Sequence, residues 1–296
     1  MNKIKNNLEE EIVALLSNCI YQKVDTNNLQ NHPIRVVEAA KSIIGLNLES
    51  PPMKLVNYIR ENYSDNLNKI GSLKSDIKSK TVSIYQLEEA INQDNFDKAV
   101  KILDCLLVLS DGRHILEYLL ELSLKKTGKS LLVIWSTYKT LNFIDYSSID
   151  NVRGALLIAV EVLINDNFHS SNNNQDCKIE SIDYIFNNFD LDDYQLQIVG
   201  SMYEIFNEQF IRESFIKSSL KDFLNSFAYD LTIIKTIKDE INLSFTNRKY
   251  LLDLLENIKI NDKNILNINA LRSYMKNSSA INESKLTNYI SLIKES

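Results

Sequence analysis

The sequence predicts an all-α protein built from antiparallel helical hairpins, which form a multi-helix bundle or an irregular solenoid. Two observations carry this prediction. The 296 residues include only 6 Gly and 3 Pro, whereas β-sandwiches and doubly wound α/β folds need many more turn residues. Apolar side chains also recur with helical spacing along most of the chain, as at Leu8, Ile12, Leu15, Leu16 and Cys19.

Residues 1–80 are predicted to hold three helices and a linker. The first helix carries the apolar stripe from Leu8 to Cys19, and the second covers residues 34–46. Ser50-Pro51-Pro52 has the pattern of a helix start, with Ser as N-cap and Pro at the first helical position, and the third helix extends to about Tyr63. The polar, weakly periodic residues 64–80 predict a linker or a mobile connection.

Residues 81–165 form the predicted central helical region. A helical hairpin is expected at 86–93 and 96–109, with Asp94-Asn95 as its turn. Further helices are expected near 113–126, 129–144 and 150–165.

A polar run at 165–177 predicts an exposed, flexible loop. Residues 166–177 then separate the central region from a C-terminal helical region at 178–296, and one continuous domain is the alternative. Asp190-x-x-Asp193 resembles a capping box before a helix at 194–210. The remaining helices are expected near 212–228, 230–243, 247–258, 262–276 and 282–294. These breaks and the usual helix length predict roughly thirteen to fifteen helices.

The charge balance argues against nucleic-acid binding. The chain has 33 basic and 39 acidic side chains and a net charge of −6, and its pI of about 5.3 lies far below the values above about 9 that mark nucleic-acid-binding domains. Residues 81–200 hold 9 basic and 18 acidic side chains. A basic partner is therefore expected to meet this acidic middle third.

The sequence predicts a soluble, cytoplasmic protein. The acidic residues 9–11 leave no apolar core for a secretory leader. The most apolar run, 155–164, is shorter than the ~20 residues of a membrane span and contains Glu161. Cys19, Cys105 and Cys177 form no CxxC pair and no disulfide framework, which is typical of a reducing compartment.

Two Asp-x-x-His pairs are the candidate metal ligands. Asp111 and His114 form one pair, and Asp166 and His169 form the other; a carboxylate and an imidazole at this spacing hold metal in di-iron bundles, although those use Glu. Asp111 falls at a helix start and His169 in the polar loop, so neither pair is expected to point into a bundle. We therefore predict no metal and no organic cofactor, with these four residues as the alternative ligands.

The segment from Ser123 to Ser130 ends like a phosphate-binding P-loop, with Gly128-Lys129-Ser130. A P-loop needs a Gly at the first position and a preceding β-strand. The preceding segment is predicted to be helical, so Gly128 is interpreted as a helix C-cap with Lys125 and Lys126 in the last turn.

The candidate pocket residues are His114, Glu117, Trp135 and Tyr138. The aromatic side chains of this region could line a pocket for a flat ligand, and the alternative is that Trp135 and Tyr138 pack in the core with their polar ends reaching the surface. His114, Glu117 and Glu121 lie opposite the apolar stripe of their helix, which predicts exposure to solvent. Glu204 and Glu208 are likewise predicted to lie on a solvated face.

Four segments carry a resemblance to a known family: Leu87 to Ala99, the helix around His114, Gly128-Lys129-Ser-Leu-Leu, and the helix from Ala155 to Leu163. Together they make residues 86–165 similar to the all-helical questin oxidase-like proteins. The resemblance implies a helical fold and oxidative chemistry in relatives. The family's Gly-His step falls at Gly128-Lys129, where Lys replaces a group suited to proton transfer or metal binding, so no functional residue is carried over.

The expected function is that of a non-catalytic binding or scaffold module, since no intact catalytic motif is present. Such a module would take a protein partner or a small apolar ligand. The alternative is an oxidoreductase-like enzyme for a small molecule, with its pocket among helices 97–165. A cavity containing His114 and inward carboxylates would favour the enzyme, and a solid core of Leu and Ile there would favour the binding module.

Overall fold

The computed structural model of the chain describes residues 2–64, 81–167, 181–229, 231–233, 250–279 and 281–295. The structure is 75% helical, which confirms the all-α prediction, and fourteen α-helices lie within the described ranges. The helices are α1 Asn2–Ile20, α2 Pro33–Ile44, α3 Met53–Tyr63, α4 Ile84–Asn92, α5 Phe96–Leu107, α6 Arg113–Ser123, α7 Lys129–Ile144, α8 Ile149–Asn165, α9 Ile182–Asn188, α10 Asp193–Asn207, α11 Glu213–Tyr229, α12 Tyr250–Asn257, α13 Asp262–Asn277 and α14 Glu283–Glu295.

Two short strands interrupt the helices. The strand β1, Phe189–Asp190, pairs antiparallel with β2, Thr232–Ile233. The prediction of a helix at 230–243 is therefore wrong at residues 232–233, where β-branched side chains favour an extended backbone. The remainder of that predicted helix, from residue 234, lies outside the described residues.

Four helices that are far apart in sequence pack together at the centre of the bundle. The helix α2 contacts both α7 and α13, while α10 packs most extensively against α13 and also touches α7. Pairings such as that of α2 with α13 join the N-terminal and C-terminal parts of the chain. These long-range contacts give a bundle instead of a solenoid, in which each unit touches only its sequence neighbours.

The helix α8 is apolar on nearly every side and is buried among α1, α5, α6 and α7. A helix that is hydrophobic all round belongs to a protein core or a membrane. The apolar residues from Ala155 to Leu163 pack against these neighbouring helices, and most of them have no exposed surface. Within the described ranges, no helix is both long and apolar enough to cross a membrane.

Two helix starts lie close to the predicted positions but use different caps. The helix α3 begins at Met53, with Pro52 as its N-cap. Pro51 precedes another proline, and that position is sterically kept out of the helical region. The helix α10 begins with a capping box formed by Asp192 and Gln195, so the predicted box is displaced by two residues.

The segment around Gly128 begins α7 and does not end α6, so its interpretation as a C-cap is wrong. Gly128 is the N-cap residue of α7, with a φ of 101°, a conformation that glycine adopts without a side-chain clash. The carboxylate of Asp166 accepts hydrogen bonds from the backbone N–H of Ser130 at 2.9 Å, from its hydroxyl at 2.7 Å, and from the hydroxyl of Thr127. The helix end that would hold a phosphate in a P-loop is thus occupied by the protein's own carboxylate.

The same contacts correct the expectation that the polar run is exposed from its first residues. Asp166 is only 4% exposed, because it caps α7 from a distance of 36 residues along the chain. The prediction of a flexible loop otherwise falls mainly on residues 168–177, and the predicted linker at 64–80 falls mainly on 65–80. Both of these ranges lie outside the described residues.

Gly200 permits a close contact between two helices at the centre of the bundle. A Cβ atom added at Gly200 of α10 would lie 2.6 Å from the Cα atom and 2.7 Å from the Cβ atom of Ala270 on α13. Such distances are shorter than any ordinary contact, so the two backbones can approach this closely only because glycine lacks a side chain.

Replacing Gly200 with alanine is expected to lower the free energy of unfolding. Alanine favours a helix over glycine by about 1 kcal/mol, but the added methyl group must push α10 and α13 apart, at a cost of about 1–3 kcal/mol. Urea unfolding followed by circular dichroism measures the net change. Gly45→Ala is the control, because the nearest atoms lie 3.5 Å from its added Cβ and stability should be unchanged or higher. A Gly200→Ala protein more stable than the original would contradict the close contact.

Candidate functional site

A cleft of about 400 Å³ opens between α2, α7, α10 and α13. This volume falls within the range of about 300–1,000 Å³ that is usual for small-molecule sites. Charged and amide side chains form most of its lining, and Trp135 and Phe143 add aromatic surface. One charged residue comes from each helix at the floor: Glu38, Lys139, Glu204 and Arg272.

Glu204 accepts hydrogen bonds with both carboxylate oxygens. Its Oε2 accepts from the indole N–H of Trp135 at 2.8 Å and from the ammonium of Lys139 at 2.6 Å. Its Oε1 accepts from the hydroxyl of Ser273 at 2.6 Å and from the guanidinium of Arg272. One carboxylate on α10 therefore connects α7 to α13.

Lys139 joins Glu204 to a second buried carboxylate. Its Nζ lies 2.6 Å from Oε2 of Glu204 and 2.6 Å from Oε2 of Glu38. Glu38 is only 1% exposed. Its Oε1 accepts from the hydroxyl of Ser42 at 2.8 Å and lies 3.1 Å from Nζ of Lys41. Each carboxylate of the floor is therefore paired and hydrogen-bonded.

These contacts keep the floor ionised near neutral pH. Burial by itself would raise the pKa of Glu204, but the positive charges of Lys139 and Arg272 outweigh it and lower that pKa to about 2. Burial likewise opposes ionisation of Glu38, and the charges of Lys139 and Lys41 still lower its pKa. For Lys139, burial lowers the pKa, and the attraction of Glu204 and Glu38 raises it above its usual value.

Arg35 adds a further buried cation below the cleft. It lies in the wall of a small cavity of about 20 Å³, which shares Trp135, Lys139 and Glu204 with the cleft. Its guanidinium donates to the amide oxygen of Gln197 at 2.6 Å and to the backbone carbonyl of Gln30. Both partners are neutral, and burial lowers the pKa of Arg35 to about 10.

We define the ionic cluster as Arg35, Glu38, Lys41, Lys139, Glu204 and Arg272. Five of these residues are not among the site residues predicted from the sequence, and the prediction that Glu204 lies on a solvated face is wrong. A signal was present, since Arg35 and Glu38 interrupt the apolar run from Ile34 to Ala40. Charged side chains at such positions are rarely fully buried unless they are paired.

The four predicted pocket residues separate in the structure. Trp135 lines the cleft, while Tyr138 stacks on it from the core side, with ring centroids 5.4 Å apart. His114 is exposed, as predicted. Glu117 is fully buried, so its predicted exposure is wrong: its carboxylate accepts from the backbone N–H of Arg212 at 2.9 Å, just before α11, and thereby covers that face of α6.

The candidate metal ligands are also separated. The carboxylate of Asp111 accepts from the backbone N–H of Arg113 at 3.0 Å, at the exposed start of α6. Both oxygens of Asp166 are engaged by Thr127 and Ser130, and His169 lies outside the described residues. Among the described side chains, no group of three His, Cys, Asp or Glu is placed to hold a metal ion.

Comparison of the chain with family models, with curated proteins and with solved structures finds no match. The resemblance of residues 86–165 to questin oxidase-like proteins therefore stays a prediction. The candidate site rests on the geometry of the cleft.

The low pKa of Glu204 predicts a loss of stability in acid. Because its pKa falls from the usual 4.5 to about 2 on folding, the stabilisation is present above pH 4.5 and is lost as the pH falls toward 2. We expect the free energy of unfolding to drop by about 3 kcal/mol from this group between about pH 5 and about pH 2. Urea unfolding at a series of pH values measures the drop.

Two variants assign this effect to Glu204. Glu204→Gln should lower stability at neutral pH by about 3–5 kcal/mol, because it leaves buried cations without their partner, and should flatten the acid dependence. Glu208→Gln changes a carboxylate one helical turn away that makes no hydrogen bond or ion pair within the described ranges, and it should keep the original acid dependence. An unchanged slope in the Glu204→Gln protein would contradict the assignment.

Proposed function

We propose that this protein is a non-catalytic binding module whose cleft between α2, α7, α10 and α13 receives a small polar molecule. The observation that carries the proposal is the paired ionic floor of the cleft. A floor of fixed charges in a concave site of this volume favours recognition of polar groups on a ligand.

The protonation of the floor argues against acid–base catalysis there. An efficient general acid or base has a pKa near the working pH. The pKa of Glu204 is held at about 2 and that of Glu38 is also lowered, while that of Lys139 is raised. None of these groups would exchange a proton readily near neutrality. Each carboxylate is also engaged by donors at both oxygens, which weakens it as a nucleophile.

The packing of residues 97–165 supports the binding function over the alternative enzyme. Side chains of α5, α6 and α8 fill the space between these helices, and Leu103, Leu116, Leu119 and Leu156 have no exposed surface. His114 lies on the outside of α6. A pocket between these three helices would need polar groups converging there, and apolar side chains occupy that space instead.

Trp135 provides a direct test, because it is the only tryptophan of the chain and lines the cleft. In a screen of small polar compounds, those that bind in the cleft should change its fluorescence in a saturable way. Asn207→Tyr is expected to block the cleft and to weaken the binding of these compounds at least tenfold. A tenfold change in Kd corresponds to the loss of about 1.4 kcal/mol of contacts. Mass spectrometry should recover each bound compound chemically unchanged.

Asn188→Tyr is the matched control. Asn188 and Asn207 are each the last residue of a helix, each is exposed, and each donates to the backbone carbonyl four residues earlier, at 2.8 and 2.7 Å. Only Asn207 lines the cleft. A binding site at the cleft would be contradicted by an equal loss of binding in both variants, or by the lack of a saturable signal from any compound. Chemical conversion of a bound compound would contradict a non-catalytic role.

A further inference from the structure

We propose that the ligand of the cleft is a small organic dianion, a molecule of a few carbon atoms that carries two negative charges. This inference rests on the proposed binding function and deepens it. Three observations support it: the charge of the ionic cluster, the lack of free carboxylate oxygens on the floor, and the cations and aromatic surface at the opening.

The ionic cluster carries excess positive charge. It holds four cations, Arg35, Lys41, Lys139 and Arg272, against the two carboxylates Glu38 and Glu204. The other charged side chains that line the cleft, Glu208 and Lys276, are opposite in sign. The region therefore has a formal charge of about +2, in a chain whose net charge is −6.

Arg35 makes this excess costly to the empty protein. Its side chain is 3% exposed, and its hydrogen-bond partners are neutral oxygens. Within the described ranges no carboxylate forms an ion pair with it. A buried charge is stable only when it is hydrogen-bonded and preferably neutralised, so a negative ligand in the adjoining cleft would lower the electrostatic energy of the whole region.

The floor offers little to a cationic ligand. The oxygens of Glu204 are engaged by four donors, and those of Glu38 are engaged by Lys41, Ser42 and Lys139. An ammonium group or a metal ion would have to displace these internal partners, which would leave buried cations unpaired. A carboxylate or a phosphate needs no such exchange, because it adds acceptors to a surface rich in donors.

The opening of the cleft has one cation, Lys276, that is available to a ligand. Lys276 is exposed and makes no hydrogen bond or ion pair within the described part of the chain. Nζ of Lys41 lies 4.9 Å from the ring centroid of Phe143, so a cation and an apolar surface are adjacent. This juxtaposition suits an organic anion, whose charged groups meet the lysines while its carbon atoms contact the ring.

A matched set of four-carbon probes tests the sign of the ligand. Succinate carries two negative charges, putrescine carries two positive charges, and butane-1,4-diol is neutral. At constant ionic strength, succinate should change Trp135 fluorescence in a saturable way and raise the melting temperature, whereas the other two probes should do neither. Glycerol 3-phosphate serves as a second dianion, and comparison of its affinity with that of succinate distinguishes a phosphate ligand from a dicarboxylate.

Charge reversal at the opening provides the control. Lys276→Glu should lower the affinity for the dianion about tenfold or more, because it changes the charge near the ligand by two units. Lys101→Glu changes an exposed lysine of α5 outside the cleft and should leave the affinity unchanged. Both positions are exposed, so neither variant is expected to impair folding.

The results separate this inference from the function on which it rests. If putrescine or the diol binds in the cleft as well as the dianions do, the sign of the ligand is wrong while the cleft remains a binding site. If Lys276→Glu leaves dianion binding unchanged, the cationic opening does not select the ligand, which also overturns the inference. If no compound of any charge binds there, the proposed function fails as well.

Discussion

The ammonium of Lys139, held 2.6 Å from a carboxylate oxygen of Glu38 and 2.6 Å from one of Glu204, is the contact on which the centre of the bundle depends. It joins α2, α7 and α10 through two ion pairs that are largely shielded from water. Removal of one partner from such a pair leaves an uncompensated buried charge and costs about 3–5 kcal/mol. The three helices are therefore constrained to one arrangement at this level of the bundle.

Polar contacts extend this constraint along the same helices. Arg35 on α2 donates to Gln197 on α10, and Gln197 donates to Asn267 on α13 at 2.8 Å. Close to this chain of hydrogen bonds, Gly200 allows α10 and α13 to approach to backbone contact. Directional hydrogen bonds and a tight helix crossing act together here, because the bonds require a fixed distance between helices and glycine allows that distance to be short.

The cleft follows from the same arrangement. Charged side chains converge where four helices meet, and their bulk and their need for hydrogen-bond partners keep apolar side chains from filling that space. Elsewhere the core consists of closely packed apolar side chains, which are mainly aliphatic between α5, α6 and α8. The cleft is therefore the candidate ligand site, and α7 brings Trp135 and Lys139 to it from within the predicted pocket region 97–165. Trp135 belongs to both regions, since it is packed against Tyr138 on one side and bonded to Glu204 on the other.

The sequence by itself determined the helical class and the bounds of most of the described helices, because these follow from local periodicity and from the scarcity of glycine and proline. It also placed His114 on the outside of α6. It did not predict α9. The local pattern failed for Glu117, Asp166 and Glu204. Glu117 and Asp166 are buried and Glu204 is largely shielded from water. Each of the three is held by donors on another element, at Arg212, at Ser130, and at Lys139 and Arg272 respectively. Only the tertiary structure determines whether such a carboxylate is shielded from water. The donor that stabilises its charge lies tens of residues away in the chain, so the local sequence pattern does not indicate it.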